Sequence, residues 1–260
     1  MSHDSQTFHP TVSRPPNPVI LEVCVDTVDG LIAAVEGGAD RIELCSALSI
    51  GGLTPSIGFM QKAASLDVPV YPLIRPRLGG FNYSVAEVDT IKRDIDKAND
   101  CGLPGIVIGA STRDGQLDAT VLADLISHAR PMDVTLHRAF DLVPDQQDAL
   151  ETAIELGFSR ILTSGGEKTA MEGLEAISAL VHAAKNRIAI MPGSGIQPSN
   201  VARFLKTLPI AEIHASCASL QKTEAGRLLE LGFLSGPPKQ TDADVVREMK
   251  AEISKISRAT

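Results

Sequence analysis

From residue 19 onward, short runs of β-branched and aliphatic residues alternate with longer segments whose apolar positions recur every three or four residues. That alternation is the pattern of repeated strand–helix units feeding a parallel sheet. Eight runs are predicted as strands, at residues 19–25, 41–45, 68–75, 105–110, 133–139, 160–164, 187–191 and 212–216. Helices are predicted between them near 27–37, 55–66, 84–101, 118–130, 145–157, 169–185 and 198–207. The helix punctuation agrees: Ser84 and Thr169 stand three residues before Glu87 and Glu172, a capping-box spacing, and Gly102 and Gly157 follow their helices where a left-handed cap is wanted. Gly38-Ala39-Asp40-Arg41-Ile42 and Gly157-Phe158-Ser159-Arg160-Ile161 echo each other as a helix stop leading into a strand.

Eight strands, with no Gly-x-Gly-x-x-Gly opening the first helix, predict an α/β fold of the (β/α)8 TIM-barrel type, an open doubly wound sheet being the alternative. The barrel is expected to occupy residues 19–260 as one domain. After Ser216 the pattern weakens to a helical extension from about residue 218, with a last, charge-alternating helix near 242–257 that covers the barrel or a subunit contact. Residues 1–18 contain four prolines and no apolar run, so they read as a disordered arm and neither a signal peptide nor a membrane span.

Alternation within strands also places chemistry. Glu22 and Cys24 share a face of the first strand, and Glu43 and Cys45 share a face of the second. Both pairs are offset by 21 residues, so neighbouring parallel strands bring two carboxylates and two thiols together. Composition narrows the partners. A formal net charge of −8 argues against nucleic acid and anionic membranes, and four cysteines in 260 residues are too few for a disulfide framework. Reduced thiols in the cytoplasm are expected.

In a barrel the site lies at the C-terminal strand ends. The polar residues there include Glu22, Cys24, Glu43, Cys45, Arg75, Arg77, His137, Arg138, Asp141, Ser164, Ser194 and His214. Several stretches carry a resemblance: Leu21-Glu22-Val23-Cys24-Val25-Asp26, the run from Gly37 to Ser46, the run from Gly51 to Ser56, Ile74-Arg75-Pro76-Arg77, His137-Arg138-Ala139-Phe140-Asp141, the run from Arg160 to Gly165, and Ile213-His214-Ala215-Ser216. Together, in order over about residues 19–217, they resemble the CutC family of copper homeostasis proteins. The resemblance implies a cytoplasmic (β/α)8 barrel, a homodimer or larger homo-oligomer, linked to copper tolerance and binding Cu(I) through two cysteines that correspond to Cys24 and Cys45. One departure is Leu78-Gly79-Gly80-Phe81, where the family more often has a polar residue before the aromatic.

The residues' own chemistry supports more than one reading. Thiolates at Cys24 and Cys45 suit Cu(I), with Met191 as a weak further contact if it faces inward; buried cysteine also serves simply as a small hydrophobe. The alternative is an enzyme acting on a small phosphorylated or carboxylated metabolite. Its catalytic candidates are Glu22, Glu43, Arg75, His137 and His214, the carboxylates and histidines serving as acid and base. Arg75, also a natural partner for the carboxylates, and Arg77, with the turns at Ser164, Gly165, Gly193 and Ser194, would hold the anion. A structural ion-pair network filling the barrel mouth would use the same residues, whereas a barrel acting through protein contacts would not need a mouth so lined. His137 and Arg138, adjacent in a predicted strand, are expected to face opposite ways, with Arg138 pairing with an acid behind the barrel or on a loop, such as Asp141.

Overall fold

Every predicted apolar run forms a strand because each is short, β-branched and bounded by a helix cap or turn. The computed structural model describes residues 19–221, 226–234 and 236–258; the predicted arm at 1–18 lies outside the described residues. In chain order the elements are β1 (Ile20–Val25), α1 (Val28–Gly37), β2 (Arg41–Leu44), α2 (Ile57–Ala64), β3 (Val70–Pro72), α3 (Val85–Asp100), β4 (Gly105–Ile108), α4 (Ala119–Ala129), β5 (Asp133–Leu136), α5 (Gln146–Leu156), β6 (Arg160–Thr163), α6 (Leu174–Ala184), β7 (Ala189–Pro192), α7 (Pro198–Thr207) and β8 (Glu212–Ala215).

The strands pair in parallel in the orders β3-β2-β1-β8 and β4-β5-β6-β7. A parallel bridge between Leu73 and Val107 joins β3 to β4, and β7 lies against β8. The ring therefore closes in sequence order. An open doubly wound sheet would reverse its strand order at a switch point, and no such reversal exists among the described residues, so the fold is the (β/α)8 barrel. Register sets the site: Glu22 lies opposite Arg41 on one side and His214 on the other, and Cys24 lies opposite Glu43.

Local signals explain most element ends. Ser84 and Glu87 form the reciprocal capping box of α3, and Gly157 closes α5 in the left-handed region. Thr169 and Glu172 also bond reciprocally, yet regular helix begins only at Leu174. Here the chain crosses itself: a Cβ on Gly173 would lie 1.9 Å from the Ser164 carbonyl oxygen, a contact only glycine permits. The fifth strand stops at Leu136, short of the predicted Ala139, because the His137 Nδ1 accepts the Ala139 N–H and starts a 3-10 turn over Arg138–Leu142.

Beyond β8 the extension is less helical than predicted. A short antiparallel hairpin of β9 (Ala218–Leu220) and β10 (Lys239–Thr241) encloses α8 (Gly226–Glu230), its three-residue strands being too brief to show a period. The last helix, α9 (Ala243–Arg258), packs on α1 and α7 through buried Val246, Met249 and Ile253. Lys250 ties it to Asp40, whose Oδ2 also accepts the Leu21 N–H at 2.7 Å. The close fit depends on Gly37, where a Cβ would meet the Val246 Cβ at 2.4 Å. Gly37→Ala is accordingly expected to cost about 2 kcal/mol by overpacking, read as a lower urea midpoint with the circular dichroism of the native state retained.

Candidate functional site in the barrel mouth

The site stands on a buried ionic floor. Arg41, at the start of β2, donates to both Glu22 and Glu212; Arg160, at the start of β6, donates to Glu212 at 3.0 Å, Asp133 at 2.7 Å and Thr135 at 2.9 Å. Tyr71 lies between the two guanidinium groups, each 5.3 Å from its ring centre, and its hydroxyl donates to Asp133 at 2.8 Å. Met191 does face inward, but its sulfur accepts from Arg41 at 3.3 Å and so belongs to the floor, away from the two mouth thiols.

One layer higher, His214 joins the floor to the mouth. Its Nδ1 is 2.8 Å from Glu22 Oε1 and its Nε2 is 3.8 Å from Glu43 Oε2. The Cys24 sulfur, a Glu43 oxygen and a His214 nitrogen lie within 4.8 Å of one another, a separation from which they could share one metal ion. The Cys45 thiol sits outside this trio and donates to Glu43 Oε2 at 3.6 Å. These four side chains line a cavity of about 300 Å³ together with Arg75, His137, Arg138 and Ser194.

The two carboxyls of the mouth are driven apart. Burial alone would raise Glu22, but the hydrogen bonds and charges of His214 and Arg41 outweigh it and hold the group at about 2. Glu43 feels the charges of His214 and Arg41 but accepts a hydrogen bond from neither, so burial, with repulsion from Glu22, pushes it up to about 7. Burial lowers His214, yet the Cys24 sulfur, Glu22 and Glu43 together raise it well above the usual histidine range. Burial and the Glu43 carboxyl push the Cys45 thiol up. His137 goes the other way, down to about 3, through burial and the charge of Arg75.

Arg75, read from the sequence as a partner for the carboxylates, points its guanidinium into its own loops: it donates to the carbonyls of Gly52 and Gly79, each at 2.8 Å, and stacks on Phe81 at 5.1 Å. His137 lies against the same ring, 4.6 Å away. Arg138 also reaches the cavity, because the strand ends before it and the expected alternation with His137 no longer applies. Its pairing with Asp141 is present at 2.6 Å.

The structure does not assemble the expected anion pocket from the other candidates. Arg77 pairs with Glu87, donates to the carbonyls of Gly80 and Asn82, and lies outside the cavity lining. The turn after β6 is filled by the chain's own anion: the Asp141 carboxylate accepts the N–H groups of Ser164 and Gly166 at 3.1 Å and the hydroxyls of Thr163 and Ser164. The Gly165 N–H donates to Thr163 Oγ1 and the Gly193 N–H to the Thr163 carbonyl. Only Ser194 of that group lines the cavity, its hydroxyl donating to the Lys168 carbonyl.

Sequence reasoning missed Arg41, Arg160, Glu212 and Tyr71. A signal was there: the two echoed phrases each end in Arg-Ile, and those two arginines enclose Tyr71.

Linkage supplies a test. The folded protein holds a proton on Glu43 up to about 7, whereas the ordinary carboxyl releases it near 4.5, so the stability this group contributes is full below 4.5 and is lost as pH rises through 7. Glu22 behaves oppositely, its contribution being present above 4.5 and lost as pH falls toward 2. Glu43→Gln should therefore gain urea stability relative to the unsubstituted protein on going from about pH 5 to about pH 8. A difference in midpoint that stays constant between those two conditions would contradict the assignment.

Comparison with known proteins agrees with this architecture. The model of the CutC family matches residues 19–219. A CutC family protein of Agrobacterium fabrum is 55% identical over 238 residues, covering 91% of this chain and 95% of its own. The human copper homeostasis protein cutC homolog is 48% identical over 204 residues, covering 78% of this chain and 75% of its own. The crystal structure of a CutC protein from Streptococcus agalactiae superposes with a TM-score of 0.73 at 30% identity, over 76% of this chain and 98% of the other. The chain belongs to the CutC family.

Proposed function

We propose that the protein takes up Cu(I) as cargo in the barrel mouth, with Cys24 and Cys45 as its thiolate ligands. The observation that supports this most is the convergence of both thiols on one cavity beside His214. Soft thiolates select Cu(I), the His214 imidazole suits it as a third ligand once Nε2 releases its proton while Nδ1–H stays on Glu22, and the Glu43 carboxylate is the hard donor this ion uses least. The names of the human and mouse relatives, copper homeostasis protein cutC homologs, point the same way. Among the described residues no helix is long and apolar enough to cross a membrane. The reading requires reduced thiols, as the cytoplasm maintains. Competition with a chromophoric Cu(I) chelator under reducing conditions tests it: one tightly held equivalent is expected, weakened about tenfold or more in Cys24→Ser and in Cys45→Ser. Unchanged affinity in the double variant would overturn it.

A second reading is favoured by the opposed shifts of Glu22 and Glu43, an arrangement that gives one carboxylate and one carboxylic acid in the same site. On this reading the mouth acts on a small phosphorylated or carboxylated metabolite, with Glu43 exchanging a proton with it and His214 supplying positive charge. Turnover of a metabolite by the protein, abolished in Glu43→Gln while binding persists, is the expected result; equal turnover by the variant would remove Glu43 from the chemistry.

A further inference from the structure

The floor and the mouth differ in how they treat buried arginine. Arg41 and Arg160 are each shared between two carboxylates. Arg75, 7% exposed, has no carboxylate among the described residues: its bonds go to neutral carbonyls, and its Nε finds no acceptor. A buried charge without a counter-charge is expensive and is retained where something else supplies the opposite sign.

A second donor lies beside it. The His137 Nδ1 accepts the Ala139 N–H, so the proton of the neutral ring is on Nε2, and that N–H is also buried without an acceptor. Phe81 packs against both residues and shields the two donors, so a ligand reaching them would displace that ring. A third donor stands at the rim. Arg138, its side chain 40% exposed, is fixed through Nε by Asp141 and through its NH2 group by Ser164 Oγ and the Glu167 carbonyl, which leaves its NH1 group without a partner among the described residues. Asp141 supplies its counter-charge, so what Arg138 adds at the rim is the free NH1 donor.

We propose that the mouth cavity binds a small carboxylate, its charge met by Arg75 and its oxygens hydrogen-bonded by the free NH1 group of Arg138 and the Nε2–H of His137. The inference rests on the second reading above, that the mouth takes a small metabolite, and narrows its class. A phosphate group demands several converging donors, and the turn where barrels commonly supply them already holds the Asp141 carboxylate. The donors left over suit an anion with two oxygens. The cavity, about 300 Å³, lies at the small end of ligand pockets and suits a small metabolite. Its far end would then lie toward Cys24, Glu43 and His214.

A binding panel decides the matter. Acetate, propionate, lactate and malonate are compared with their amides, with inorganic phosphate and with glycerol phosphate, by thermal shift and by the nitrogen-15 resonance of the His137 ring. At least one carboxylate is expected to raise the melting temperature and move the His137 resonance while its amide does neither. Arg138→Met should weaken that carboxylate about tenfold or more with an unchanged native circular dichroism spectrum. If phosphates bind and carboxylates do not, the carboxylate assignment falls while the metabolite reading stands. If no compound binds, both fall. Undiminished binding by Arg138→Met, or a bound carboxylate that leaves the His137 resonance of the unsubstituted protein in place, would overturn the proposed contacts.

Discussion

The chain of ion pairs running Glu22–Arg41–Glu212–Arg160–Asp133 is the interaction on which the rest of the molecule depends. It links β1, β2, β8, β6 and β5, and Tyr71 of β3 is clasped between its two arginines. The barrel interior is thereby filled by charge at a level where aliphatic side chains would ordinarily pack. Removing one member would strand its partner in a medium that tolerates unpaired charge poorly, so the network demands to be complete. It also fixes ring closure: Arg41 and Glu212 are far apart in sequence and meet only when β8 has returned beside β1.

Much of this was legible in the sequence, for identifiable reasons. Strand and helix order follow from local periodicity, and a period of two places Glu22 with Cys24 and Glu43 with Cys45 without knowledge of the rest. Interactions across the ring were not legible in the same way. Arg41, Arg160 and Glu212 begin their strands, the end of a barrel usually assigned to stability, and nothing local distinguishes an arginine that turns inward there from one that turns to solvent. The glycine turns after β6 and β7 have the look of phosphate loops, but Asp141, 23 residues from Ser164, fills the first of them. A loop that binds its own chain's carboxylate and one that binds a ligand's phosphate share the same residues. Arg138 was misplaced for a simpler reason, since one side-chain-to-backbone bond from His137 ended the strand and with it the alternation.

Glu22 is, among the described residues, the single carboxylate that belongs to both levels. One oxygen accepts from Arg41 in the floor, and the other faces His214 in the mouth. Its charge, secured from below, keeps His214 protonated, and the same charge repels a second negative group at Glu43. The protonation pattern of the mouth is in this sense set by the floor. A ligand entering the cavity meets one permanent anion, already spoken for, and one carboxyl that titrates in the neutral range.

The two walls of the cavity therefore offer unlike chemistry within one small volume. On the side of β1, β2 and β8 stand thiols, a charged imidazole and a titrating carboxyl; on the side of β3 and β5 stand arginines and a neutral imidazole whose donors the protein itself leaves unmatched. A metal ion alone answers only the first wall, because the unpaired charge of Arg75 repels a cation. An organic anion alone answers only the second. That asymmetry argues for a ligand with two ends, one anionic and one matched to sulfur and imidazole, and it explains why neither wall's chemistry by itself accounts for all the buried polar groups of the mouth.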